Sequence, residues 1–327
     1  MRRFLTQVLV VLLISAVPVF SYIFFNDRFV KIFVNDDAKH FSISQYLNNP
    51  VQGKQVLFFG SSLGMIGVNT NVLDSADTAV QYFNLCSNAQ TTAELVHFLE
   101  QIPAGTKEIL FCQHPTFLSG KGSYPLPNNK AISLTLSGFR TGEFENGFID
   151  SLDNKASFTA DFILSASLEF RSSLHVFLRS ILDKYQKKEF NTEAFWSVKH
   201  PYPYNSERIY NYQQRMPDTP AKVNCNISQG RLETHNKIAR YLAGRGIKYT
   251  ILLMPMNPDF SDLKHCSFYK DEVSKSSNIE ILDYSDKFSS EYFYDNGHLN
   301  KKGSTRLTQM LWQDYFFSGS TGTAVAF

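Results

Sequence analysis

The chain has 327 residues, 43% of them apolar, and a formal net charge of +2. That apolar fraction excludes wholesale disorder, and the near-neutral balance excludes the electrostatic footprint of a nucleic-acid-binding domain. The length allows one large domain or two small ones, and 29 Phe with 16 Tyr supply a core and material for a sugar- or acyl-binding cleft.

Arg2 and Arg3 precede residues 4–25, which carry no charge and are nearly all apolar. A bilayer needs ~20 such residues in a helix. The positive-inside rule places the arginines in the cytoplasm and the remainder on the periplasmic or extracellular side. A cleaved signal peptide is the rival reading. It calls for a shorter apolar region and an Ala-x-Ala site, which is not evident. The expected organisation is a single-pass anchor in the cytoplasmic membrane over residues 1–28. One extracytoplasmic α/β domain follows over 29–327, interrupted by an insertion at about 120–226.

Residues 26–53 read as a connector with a short helix near 41–47. Strand signals follow at 56–59 and 79–85. A helix is expected over 92–102, where Thr91 and Glu94 form a capping-box pattern and Leu95, Phe98, Leu99 and Ile102 a stripe. Pro103-Ala104-Gly105 ends it, and a third strand is expected over 108–112. The rhythm then breaks. The insertion opens with a Gly/Pro/Asn loop, carries a helical stretch at 159–187, and ends in an aromatic patch at 196–212. Those aromatics either pack the insertion onto the core or contact a polymer or partner. A helix at 231–242, strands at 249–255 and 279–284, and a last helix bearing Leu307, Met310, Leu311 and Tyr315 complete the pattern. The tail from Gly319 reads as frayed. Strand–helix alternation predicts an α/β fold: a mostly parallel sheet flanked by helices, with right-handed crossovers.

Two short stretches carry the chemistry. Phe58-Phe59-Gly60-Ser61-Ser62-Leu63-Gly64 places a serine just past a buried strand, at the sheet edge where open α/β folds put their sites. Tyr294-Asp295-Asn296-Gly297-His298-Leu299-Asn300 offers a carboxylate and an imidazole on one turn before the last helix. A serine hydroxyl needs an imidazole to take its proton, and the imidazole needs a carboxylate to hold its tautomer. Ser62, His298 and Asp295 are therefore the catalytic candidates. Gln113 and His114, beyond the third strand, are candidate oxyanion or substrate donors, and Asn69 and Asn88 are candidate cleft residues. Met254-Pro255-Met256-Asn257-Pro258 reads as cleft wall. Asp295 and His298 lack an apparent third metal ligand, so neither a metal nor another cofactor is expected. Cys86 and Cys112, at strand ends, read as buried thiols. Cys225 and Cys266 lie in polar surroundings and are either free or paired, an option open outside the cytoplasm.

The chain resembles the SGNH (GDSL-type) hydrolase superfamily. Gly60-Ser61-Ser62-Leu63 is similar to its Gly-Asp-Ser-Leu block, and the 295–300 stretch to its terminal Asp-x-x-His block. Phe83-Asn84-Leu85-Cys86-Ser87-Asn88-Ala89-Gln90-Thr91 looks like its second block. There Ala89 or Asn88 stands where the family usually has a glycine serving the oxyanion. The third block, Gly-x-Asn-Asp, is replaced by Cys112-Gln113-His114-Pro115. A Gly-Ser-Ser start with a degenerate third block is similar to the membrane-anchored branch of DltD and the alginate O-acetylation proteins. The resemblance covers roughly 54–120 and 229–317. It implies O-acyl transfer or ester hydrolysis on a cell-envelope or extracellular polysaccharide through an acyl-serine, with an acyl donor and a membrane-bound acyltransferase as partners. A non-catalytic polysaccharide-binding or scaffold subunit of an acylation complex is the alternative. A plain lipase or esterase is the third reading.

Overall fold

Five short apolar runs become five parallel strands in the computed structural model, which describes residues 4–7, 10, 36–119, 197–199, 220–222, 226–263 and 279–317. The strands are β1 (Gln55–Gly60), β2 (Gln81–Asn84), β3 (Thr106–Gln113), β4 (Lys248–Leu253) and β5 (Glu280–Asp283). The helices are α1 (Asp36–Asn48), α2 (Ser62–Gly67), α3 (Thr70–Ala76), α4 (Thr92–Phe98), α5 (Gln229–Gly244) and α6 (Lys301–Leu311). The sheet order is β2-β1-β3-β4-β5, every pair parallel, one of the two common doubly wound orders. A separate parallel pair joins Ala221–Lys222 to Ser261–Asp262.

Strands covered on both faces read as continuous apolar runs, and β1 is buried at every position. On one face Leu57, Phe59, Ile109, Phe111 and Ile251 pack against α1, α4 and α5. On the other, Val56, Phe58, Leu110, Cys112 and Leu252 pack against α2, α3 and α6. Full burial of each such side chain contributes about 1.5–3 kcal/mol. Cys86 and Cys112 are buried free thiols.

Several boundaries differ from expectation. Thr91 opens α4 as predicted, its N–H donating to the Glu94 carboxylate. The α-helix nevertheless stops at Phe98 and tightens into a 3-10 turn, Leu99–Gln101. Ile102 precedes Pro103 and is extended, because the proline ring excludes the helical region for its predecessor. The last helix passes into a π turn, Trp312–Phe316. The Tyr315 hydroxyl donates there to Glu108. The connector holds a longer helix than expected. On it Lys39 is wholly buried and donates to the Asn84 carbonyl at 3.0 Å and the Ser197 carbonyl at 2.8 Å. Burial lowers the Lys39 ammonium to about 8.

Residues 4–7 and 10 are helical, and the rest of the expected anchor lies outside the described residues. Among the described residues no helix is long and apolar enough to cross a membrane. The helical stretch at 159–187, Cys225, Cys266 and most of the 196–212 patch also lie outside them. The described piece at 197–199 runs along the β2 edge. The Asn84 N–H donates to the Val198 carbonyl at 2.7 Å, and Lys199 pairs with Asp74 at 2.8 Å.

Candidate active site

The turn after β1 is built by close approach. Gly60 takes φ +137°, a region open to glycine, as the chain leaves the sheet. Its carbonyl accepts from the Ser87 N–H at 3.0 Å, and the Ser61 N–H donates to the Cys112 carbonyl at 3.3 Å. Ser62 is therefore the first residue of a short helix seated on the sheet. Gly64 lets that helix settle: a Cβ there would lie 2.4 Å from Cys112 Cβ and 2.7 Å from Cys86 Sγ. Asn84, fully buried, ends the helix by donating its amide to the carbonyls of Gly64, Met65 and Val68 at 2.9–3.3 Å.

The 293–300 loop is equally defined. Phe293 and Leu299 are buried and form an antiparallel bridge, and the Tyr294 N–H donates to the His298 carbonyl at 2.7 Å. Inside the turn Asp295 Oδ1 accepts from the N–H groups of Gly297 (2.9 Å) and His298 (2.7 Å). Asn300 caps α6, accepting from the Gly303 N–H at 2.9 Å. A Cβ at Gly297 would stand 3.5 Å from Leu63 Cδ2, so the two loops meet.

Where they meet, three predicted side chains fall in series. Ser62 Oγ lies 2.8 Å from His298 Nε2, and His298 Nδ1 lies 2.8 Å from Asp295 Oδ2. Burial by itself would raise the Asp295 carboxyl. Hydrogen bonds from the His298 ring and from the Gly297 and His298 amides outweigh it and hold the carboxyl below its ordinary value. An ionised Asp295 keeps the imidazole proton on Nδ1, which leaves Nε2 to accept from the serine hydroxyl. The arrangement can remove the hydroxyl proton as Ser62 Oγ attacks an electrophilic carbon.

The other candidates fall in different places. Asn88 and Ala89 sit on the turn after β2, which the Ser87 N–H ties to Gly60 beside the Ser62 turn. Ala89 is exposed and has φ +48°, a left-handed conformation that costs a non-glycine residue about 1–2 kcal/mol. Gln113 is nearly buried, and its amide donates to the Gln90 carbonyl at 3.3 Å, bracing that turn. Asn69 caps α3, its side chain accepting from the Asn71 N–H at 3.2 Å. His114 stands at the end of β3, bonded to Thr116. His235 is a core residue between Thr92 and Tyr249.

Sequence reasoning read Asn257 only as part of a cleft wall at 254–258. It is fully buried beyond β4; its amide donates to the Asp295 carbonyl at 3.1 Å and its Oδ1 accepts from the Asp259 N–H at 3.1 Å. An Asn-Pro step inside an otherwise apolar Met-Pro-Met run was the available signal. Asn257→Ala removes both bonds and lets the Asp295 turn drift. A displacement near 1 Å lowers reaction rates by up to about 100-fold. The expected result is slower modification of Ser62 by a serine-directed probe, measured as a rate constant, with the protein still folded.

A doubly wound, parallel α/β protein with a hydrogen-bonded serine–histidine–aspartate series at the carboxyl edge of its sheet is the class that fold and site define. The chain matches no protein-family model and no curated protein.

Proposed function

We propose that the chain is a serine-dependent O-acyltransferase or esterase of the SGNH-like kind. In this reading it is anchored in the cytoplasmic membrane by its N-terminal apolar segment and acts outside the cytoplasm on a polysaccharide or other envelope polymer. The Ser62–His298–Asp295 series carries this reading. Ser62 Oγ attacks the carbonyl of an activated acyl group while its proton passes to His298 Nε2. The leaving group departs with that proton, and an acyl-serine remains. An acceptor hydroxyl, or water, then loses its proton to His298 and attacks the ester, and Ser62 recovers its proton as the acyl group leaves. Backbone N–H groups of the turns at Ser62 and Ala89 are suited to the developing oxyanion. The branch resemblance implies a membrane-bound partner that supplies the acyl donor.

The test is a fluorophosphonate probe on the full-length protein, with the adduct located by mass spectrometry. Labelling at Ser62 that disappears in Ser62→Ala is the expected result. A folded wild-type protein that does not label refutes an activated serine and favours the non-catalytic binding or scaffold reading.

A further inference from the structure

The chain enters the folded domain at the catalytic edge of the sheet. Helix α1 is the first element after the residue 4–25 apolar run and its connector, and three contacts fix its direction. Near its start Lys39 Nζ donates to the carbonyl of Asn84, the last residue of β2, at 3.0 Å. His40 Nε2 lies 3.2 Å from the hydroxyl of Ser87, whose N–H donates to the Gly60 carbonyl. Near its end the Tyr46 hydroxyl donates to the side chain of Gln55, the first residue of β1. Helix α1 therefore runs antiparallel to the strands, from their carboxyl ends to their amino ends. Lys39 and His40 are both buried, so the core holds the entry point in place. The same edge carries Ser62: Asn84, which receives Lys39, donates its own amide to the Gly64 carbonyl of the Ser62 helix at 3.1 Å.

Only residues 26–35 separate the apolar run from α1. A chain of that length spans at most about 35 Å when fully extended. The eight residues of β3 put the amino edge of the sheet about 26 Å behind the carboxyl edge. A tether of this reach, tied to the carboxyl edge, makes that edge the one nearer the bilayer. The composition of the tether shortens the separation further. Phe29, Val30, Ile32, Phe33 and Val34 are interleaved with Arg28 and Lys31. Apolar and aromatic side chains among cations suit the headgroup layer of an anionic membrane better than open water.

We propose that the carboxyl edge of the sheet faces the bilayer that anchors the chain, and that Ser62 takes its acyl group from a lipid-borne donor held in the plane of that bilayer. This rests on the anchored acyl-serine reading above. The donor class that follows is an activated acyl ester carried at headgroup level. Confinement of enzyme and donor to one surface replaces an encounter in bulk water by one at high effective concentration. A freely diffusing donor gains nothing from the arrangement.

The experiment uses full-length protein in vesicles of phosphatidylethanolamine and phosphatidylglycerol. Orientation is read without any chemistry at Ser62. A thiol-directed fluorophore is placed at Asn296→Cys, exposed on the catalytic edge, or at Lys107→Cys, exposed near the amino end of β3. The background carries Cys225→Ser and Cys266→Ser, and Cys86 and Cys112 are buried. Lipids bearing a headgroup nitroxide should quench the Asn296→Cys label several-fold more than the Lys107→Cys label. Equal quenching, or stronger quenching at Lys107→Cys, overturns the proposal. Delivery is read with two fluorophosphonates, one soluble and one carried on a diacyl lipid in the same vesicle. With either, Ser62 Oγ bonds phosphorus, its proton passes to His298, and fluoride leaves. A helical spacer of about 30 residues inserted after Asn35 lifts the domain by about 45 Å. It should slow labelling by the lipid-borne probe by about 10-fold or more and leave the soluble probe unaffected. Unchanged labelling by the lipid-borne probe overturns the membrane-held donor. Wild-type protein that the soluble probe does not label overturns the Ser62 reading, while the quenching still decides orientation. Protein that does not float with the vesicles overturns the anchor.

Discussion

Asp295→Asn should reduce turnover of an activated ester by roughly 10,000-fold while leaving the fold in place. Oδ1 holds the turn through the Gly297 and His298 amides, and an asparagine oxygen can keep both bonds. The amide nitrogen then replaces Oδ2 and presents N–H to His298 Nδ1. The imidazole proton moves to Nε2, which donates to Ser62 Oγ and can no longer accept from it. The loss falls on kcat, because the tautomer is wrong before substrate arrives. Turnover assays on the variant, with a melting curve for the fold, check this. Wild-type turnover in Asp295→Asn would show that the carboxylate has no part in the reaction.

Gly60→Ala should cost roughly 4 kcal/mol of stability or more, an effect reserved for a few mechanisms. Two of them coincide. Gly60 sits at φ +137°, where a side chain is strained, and its Cβ would stand 2.0 Å from the Cys112 carbonyl oxygen and 2.8 Å from the carbonyl carbon. Those are backbone atoms of a central strand and cannot turn aside. Gly244→Ala is the control, because nothing lies within 4 Å of the new Cβ. It should change stability by no more than about 1 kcal/mol. Urea midpoints of the two variants test the contrast.

Much of this arrangement is legible in the chain. Apolar runs at 56–59, 108–112, 249–255 and 279–284 announced strands because a sheet covered on both faces requires apolar residues at successive positions. The spacing of Asp295 and His298 on one glycine-containing turn announced a pair from one loop, and they are paired at 2.8 Å. Less legible were residues that work through the backbone. Asn84 and Asn257 are single polar side chains in apolar stretches. Each is recognisable only by the carbonyl or amide it meets from a distant segment, as when Asn257 reaches Asp295. Gln113 and Asn69 show the converse. Gln113 was read as an oxyanion or substrate donor and Asn69 as a cleft residue; in the structure the Gln113 amide braces the Gln90 turn and the Asn69 side chain caps α3.

What the sequence by itself determined is the strands of the sheet, the helices after residues 91, 228 and 300, and which residues carry reactive groups, because periodicity and local turn chemistry are properties of neighbours in the chain; the two short helices Ser62–Gly67 and Thr70–Ala76 were not read from it. Only the tertiary structure decided that Ser62 and His298, 236 residues apart, stand 2.8 Å from one another. That distance follows from β1 being a central strand, from Gly64 letting α2 sit on Cys112, and from Leu299 anchoring the His298 turn in the same core as Met65 and Ile66.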